Sequence, residues 1–163
     1  MTDPLGVGGS SSLPGAGEMI SGGQANRVAG GTAQTKVFGV LGEGTRFVYV
    51  FDRSGSMDGF GGRPLASAKA ELLASLDDLD RIHQFQIIFY NEQPHIFNPD
   101  RSTPRLVWAD DASKDKARRF VRGIRADGGT RHMSAQRLAL GMRPDEIFFL
   151  TDADEPRLSL IHI

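Results

Sequence analysis

The sequence contains no cysteine, which excludes disulfides, thiolate zinc sites and a cysteine nucleophile and leaves the redox compartment open. No apolar run approaches the roughly 18 residues that a membrane-spanning helix needs. The stretch 1-MTDPLGVGGSSSLPGAGEMI-20 lacks the basic start and apolar block of a signal peptide, so the chain reads as soluble and without an address. Charge of one sign is also missing. With 19 Lys and Arg against 20 Asp and Glu, the formal net charge is -1, and the concentrated positive field that nucleic acid requires is not expected. What is present is 163 residues, 39% of them hydrophobic, which is enough for one domain with a real core.

Residues 1 to about 35 are rich in Gly and Ser and hold few large apolar side chains, so they are read as a flexible leader, with the domain occupying 36–163. In 36-KVFGVLGEGTRFVYVFD-52, Val37, Phe38, Val40 and Leu41 form a short apolar patch and Gly42 and Gly44 are expected to turn the chain. The run from Phe47 to Phe51 is apolar on both faces, as in a central parallel strand covered by helices. Pro64 opens a helix whose apolar stripe is Leu65, Ala68, Leu72, Leu73, Leu76 and Leu79. Then come a second buried strand, 85-FQIIFYN-91, and short edge pieces at 94-PHIF-97 and 105-RLVW-108. A helix through 113-SKDKARRFVRGIRA-126 has a basic outer face, and a glycine turn, 127-DGGT-130, leads to a shorter helix through 132-HMSAQRLALGM-142 and a third strand, 146-EIFFLTDADE-155. Strands alternating with helices predict an α/β fold, a Rossmann-like, mostly parallel sheet with helices on both faces.

In such sheets ligands bind beyond the carboxyl ends of the strands. Oxygen-bearing side chains collect there: Asp52, Ser54 and Ser56 after the first long strand, Thr130 after the glycine turn, and Asp152 after the last strand. Alternate positions of a segment leaving a strand point to one side, so Asp-x-Ser-x-Ser presents three oxygens around one point. Carboxylate and hydroxyl oxygens without imidazole or thiolate are the ligand set for Mg, Mn or Ca. Gly55, Gly128 and Gly129 are expected to let the backbone turn tightly beside them.

These residues resemble the von Willebrand factor A domains and their metal-ion-dependent adhesion site. The pattern is Asp-x-Ser-x-Ser, a distant Thr and a later Asp; here it stands as 52-DRSGS-56, 129-GT-130 and 151-TD-152, within a likeness covering roughly residues 45 to 156. The resemblance implies Ser54, Ser56 and Thr130 as hydroxyl ligands and Asp52 and Asp152 as carboxylates, around Mg2+, Mn2+ or Ca2+. It implies a non-enzymatic adhesion or assembly module whose protein ligand offers an acidic residue to complete the shell. Asp154 and Glu155 depart from the Gly-Glu that commonly follows, and an extra carboxylate there would weaken an acidic partner or shift metal preference. A narrower likeness, in 36-KVFGVLGEGTRFVYVFDRSGSM-57, 84-QFQIIFYNE-92 and 148-FFLTDADEP-156, is to bacterial proteins carried behind a membrane anchor. It implies a cell-envelope or membrane-associated parent, with membrane contact only through an N-terminal anchor absent from this chain.

The family continues past the last aspartate with further strands and helices, whereas only 156-PRLSLIHI-163 remains, so a C-terminally incomplete domain is expected. The few residues after Glu155 are too short for a crossover to a parallel neighbour, which would leave the strand at Ile147–Leu150 with an open apolar edge. Simpler readings stand beside the sharp one. Asp and Ser after a strand commonly cap loop amides. His132 near Thr130 offers a general base for a serine, a hydrolase reading for which no Gly-x-Ser-x-Gly elbow is present; the alternative function is a metal-assisted hydrolase in which an ion at the same site activates water. Trp108, Phe85, Phe89 and Tyr90 are assigned to packing, His83, His95 and His162 to surface or packing, and the stripe Arg118, Arg122, Arg125 to a solvated face.

Overall fold

The computed structural model describes residues 31–153 and the strand backbones at 27–28 and 155–162; the side chains of those two outer segments and of 152–153 lie outside the described residues. The chain forms β1 (Arg27–Val28), β2 (Thr32–Val37), β3 (Val40–Gly44), β4 (Arg46–Asp52), a 3-10 turn at Gly55–Asp58 and α1 (Gly59–Asp77). It continues with β5 (Gln84–Tyr90), β6 (Pro94–Ile96), β7 (Val107–Trp108), α2 (Asp111–Gly123), α3 (Met133–Gly141), β8 (Glu146–Ala153) and β9 (Glu155–His162).

The main sheet has the order β6-β5-β4-β8-β9, with β7 paired to β5. Its three central strands are parallel: β4 pairs β5 from Arg46↔Gln84 to Asp52↔Tyr90 and pairs β8 from Phe47↔Glu146 to Phe51↔Leu150. Side-chain alternation divides the core. Phe47, Tyr49 and Phe51, with Phe85, Ile87, Phe89 and Phe148, meet Leu65, Ala68, Leu72 and Leu76 of α1 and Ala117 and Val121 of α2. Val48, Val50, Ile88, Tyr90, Ile147 and Phe149 meet Ala135 and Ala139 of α3 on the opposite face. Burying a large apolar side chain contributes about 1.5–3 kcal/mol, so the run that reads as apolar on both faces is the stabilising centre of the α/β sandwich. Tyr49 is fully buried there; burial pushes its phenol up, against the Ser75 hydroxyl 2.7 Å away, so it stays neutral.

Several sequence expectations need correction. β2 begins at Thr32, inside the segment read as leader, and Ala33 and Thr35 are buried; the Thr35 hydroxyl lies 2.6 Å from that of Ser75 and donates to Asp78 Oδ2 at 2.8 Å. Residues 1–26 lie outside the described residues. The turn between β2 and β3 is made by Phe38 and Gly39, at φ 47° and 78°, while Gly42 and Gly44 lie within β3. Those two glycines serve close approach: a Cβ on Gly42 would stand 2.7 Å from Phe148 Cζ, and one on Gly44 2.6 Å from Asp145 Cβ. Trp108 is 55% exposed, because its two-residue strand lies on the sheet's outer side, whereas Phe85, Phe89 and Tyr90 are fully buried as expected.

The edge of β8 is not left open. β9 runs back along it in antiparallel register from Ala153↔Glu155 to Glu146↔His162. An antiparallel return needs only a tight turn where a parallel neighbour needs a long crossover, so a few residues suffice.

Candidate metal centre

β4 delivers Asp52 at its carboxyl end, where the residue is fully buried. The chain then folds back at once: the Ser54 amide donates to Asp52 Oδ1 at 2.7 Å, and the Ser54 and Ser56 hydroxyl oxygens stand 3.1 Å apart. Ser54 is buried and Ser56 exposed, so this short arc runs from the protein interior to solvent. The 3-10 turn follows, closed by Met57 N–H on the Ser54 carbonyl at 2.9 Å, with the Met57 side chain buried.

The loop between α2 and α3 is fastened to this arc through the backbone. Gly55 N–H donates to the Gly128 carbonyl at 2.9 Å, and Asp127 N–H donates to the Arg53 carbonyl at 2.8 Å. Gly128 sits at φ +74°, and a Cβ there would lie 3.1 Å from Asn91 Nδ2, so conformation and space both favour glycine. Gly129 has ordinary φ, but a Cβ would lie 2.9 Å from Glu92 Oε1. Gly55 needs neither concession; its amide is what the site uses. Thr130, two residues beyond Gly128, is exposed. Asp152 lies in β8, two residues past the Leu150 that pairs with Phe51, and its side chain is outside the described residues. The fold therefore brings Asp52, Ser54 and Ser56 together, docks the Thr130 loop against them, and runs the Asp152 backbone beside them.

Composition did not reveal the residues that hold this arrangement. Asn91, buried just after β5, donates through Nδ2 to the Asp127 carbonyl at 3.0 Å, accepts the Arg131 amide on its own carbonyl at 2.7 Å, and accepts the Gln93 amide on Oδ1 at 3.0 Å. Tyr90, also buried, donates to the Leu150 carbonyl at 3.2 Å. Lys69 caps the end of α2 by donating to the Arg122 and Ile124 carbonyls, and Arg53 Nη1 donates to the Arg125 carbonyl at 3.0 Å. Burial, then the Arg125 charge, holds the Lys69 amine below its usual range. An Asn directly after a strand, where Asx side chains bond the backbone two residues on, was the available signal.

His132 is exposed and stands edge-on to Phe149, with ring centroids 6.2 Å apart. Among the described residues no three His, Cys, Asp or Glu side chains gather in a form that holds a metal. The arc offers one carboxylate and two hydroxyls on three alternate residues. Hard oxygens of that kind fit Mg, Mn or Ca.

The order of the central strands is that of an α/β fold with a mostly parallel sheet, and Asp-x-Ser-x-Ser leaves its middle strand beside a Gly-Thr loop bonded to it. The arrangement resembles a von Willebrand factor A-type domain. The chain is 36% identical over 93 residues to inter-alpha-trypsin inhibitor heavy chain H4 of Homo sapiens, and 31% identical over 93 residues to that of Bos taurus. Each match takes in 57% of this chain and 9% of the relative, so the chain spans a small part of the curated relatives it matches. A solved structure described as von Willebrand factor type A from Catenulispora acidiphila superposes with a TM-score of 0.48 at 24% identity, covering 61% of this chain and 22% of that one. No family model matches the sequence. Among the described residues no helix is long and apolar enough to cross a membrane.

Proposed function

We propose that this chain is a domain of the von Willebrand factor A type and that it acts as a divalent-cation-dependent protein-binding module rather than an enzyme. Asp52, Ser54, Ser56, Thr130 and Asp152 would hold Mg2+, or Mn2+ or Ca2+ in its place, and an acidic residue of the partner would complete the shell. The observation that carries this reading is the arc from buried Asp52 to exposed Ser56, pinned to the Gly128 loop by the Gly55 amide at 2.9 Å. A loop that only capped itself has no need for a second loop, bearing a further hydroxyl, to be bonded across its apex.

A bound cation would supply a coordination position that two carboxylates and three neutral hydroxyls leave open, where an anionic side chain could bind. The chain's own residues do the rest. Asp52 orients the Ser54 amide and fixes the turn. Asn91 and Arg53 hold the carbonyls of the neighbouring loop, so that Thr130 is presented by a braced segment.

The test is thermal unfolding with chelator and with millimolar Mg2+ or Mn2+, on wild type and Asp52→Ala in parallel. A ligand that binds only the folded state raises stability by about 2.7 kcal/mol at a hundredfold excess over its dissociation constant. A rise in wild type that Asp52→Ala lacks is the expected result. Equal rises in both proteins, or none in either despite cooperative unfolding, would sink the reading.

A further inference from the structure

A groove of about 410 Å3 lies between β6 with its following loop and the middle of α2, and it contains none of the five proposed metal ligands. That volume is in the range that accepts a small ligand or a bulky side chain. Its apolar wall is made by Ile96, Phe97, Pro99 and Phe120. Phe120 is held from two sides, stacked on His95 at 5.5 Å and 12° and tilted against Phe97 at 5.5 Å, so the wall is packed in place before anything binds.

Lys116 and Arg119 line the same groove and are exposed; three residues apart on α2, they share one face of the helix. Their neighbour Arg118 is neutralised, by Asp77 at 2.8 Å and Asp115 at 2.7 Å. Lys116 and Arg119 form no ion pair among the described residues, and no carboxylate lines the groove. The nearby carboxylates are engaged elsewhere: Asp100 faces Arg105 at 3.6 Å, and Asp110, which senses Lys116 at a distance, caps α2 by accepting the Ser113 amide at 2.7 Å. A merely solvated helix face places its cations over polar surface. Here two cations without an ion pair among the described residues stand beside an open groove with one apolar wall.

We propose that this groove docks an acidic segment of a partner protein in which Asp or Glu flanks a Phe or Leu anchor. The anchor lies against Phe97 and Phe120, and the carboxylates face Lys116 and Arg119. Exposed ion pairs contribute little by themselves, so the anchor supplies affinity and the cations select the sequence around it. The groove does not depend on the metal reading. The carbonyls at the C-terminal end of α2 are held by Lys69 of α1, and the Arg125 carbonyl just beyond them by Arg53 of the loop after β4.

The experiment follows the fluorescence anisotropy of a short labelled peptide of alternating Glu with Phe and Leu, in chelator. It is read on wild type and on the exposed double variant Lys116→Glu/Arg119→Glu, with circular dichroism confirming that each is folded. Saturable binding is expected in wild type and weakened about tenfold or more by the double reversal. Replacing the peptide's Phe and Leu with Ser is expected to abolish binding. No saturable binding, equal binding to the double variant, or equal binding of the Ser peptide would overturn the proposal. Tighter binding of phosphatidylserine vesicles than of the peptide would overturn it in favour of a lipid surface.

Discussion

The two ends of the parallel sheet use aspartate in opposite ways. At the amino end Asp145, just before β8, has all its capacity spent within the fold: Oδ2 accepts the Thr45 amide at 2.8 Å, the Thr45 hydroxyl at 2.9 Å and the Arg46 amide at 3.0 Å, and Oδ1 accepts Arg46 Nη2 at 2.9 Å. Gly44 gives it room, since a Cβ there would sit 2.6 Å from Asp145 Cβ. At the carboxyl end Asp52 is more deeply buried, yet the hydrogen bond it makes within its own loop is to Ser54, and that loop opens onto exposed Ser56 and Thr130. One aspartate clasps β4 to β8; the other heads a row of oxygens that ends at solvent. The first group stabilises the fold, and the second is the one proposed to meet a ligand.

The comparison breaks most readily at the clasp. Asp145→Ala leaves two backbone amides, a hydroxyl and a guanidinium without their acceptor, and at about 1.5–3 kcal/mol for a hydrogen bond to a charged group, partly offset by water at this half-buried site, the loss is expected to be about 3 kcal/mol in denaturant unfolding. Acid probes the same group without mutation. Burial alone would raise the Asp145 carboxyl, but Arg46 and Thr45 outweigh it and hold it down at about 2. A depressed folded-state pKa contributes stability above the unfolded value near 4 that is lost as pH falls towards 2. Wild type is therefore expected to lose about 2 kcal/mol over that window relative to Asp145→Ala. Parallel curves for the two proteins would refute the clasp.

Glycines sharpen the contrast at lower cost. Gly44→Ala forces a β-carbon against Asp145, which cannot rotate away at its own Cβ, and about 2 kcal/mol of overpacking is expected. Gly128→Ala meets a left-handed φ of +74° and the Asn91 amide at 3.1 Å, for which about 1 kcal/mol is expected. The readouts differ by end. Gly44→Ala should lower the melting temperature and leave the metal-induced rise intact, whereas Gly128→Ala should diminish that rise by shifting the loop that carries Thr130.

The sequence made the carboxyl end more legible than the amino end, for a physical reason. Asp52, Ser54 and Ser56 lie within five residues of one another, and a strand running into alternate oxygens is a local pattern. The central strands and all three helices were legible likewise, because Phe47–Phe51 and the Leu65 to Leu79 stripe carry their periodicity along the chain. The clasp joins Thr45 and Arg46 to Asp145 across most of the domain, and nothing near any of the three announces it. The same holds for Asn91, whose value lies in the distant loop it braces, and for β2, where Thr35 gains burial only once Ser75 of α1 arrives. Trp108 failed differently: its size suggested a core position, but a two-residue strand at the sheet's outer side offers no second layer to cover it.

The smallest effect expected is the one that isolates function from stability. Asp52→Asn keeps an oxygen to accept the Ser54 amide and nearly the same volume, while removing a negative charge from a fully buried position. Burying charge is costly unless it is compensated, so a residue placed for a cation should be dispensable to the empty fold. In chelator the variant is expected to unfold within about 1 kcal/mol of wild type, either way. In saturating Mg2+ the two should separate, because only wild type gains from the ion. A large loss in chelator would make Asp52 a second structural clasp and erase the distinction between the two ends of the sheet.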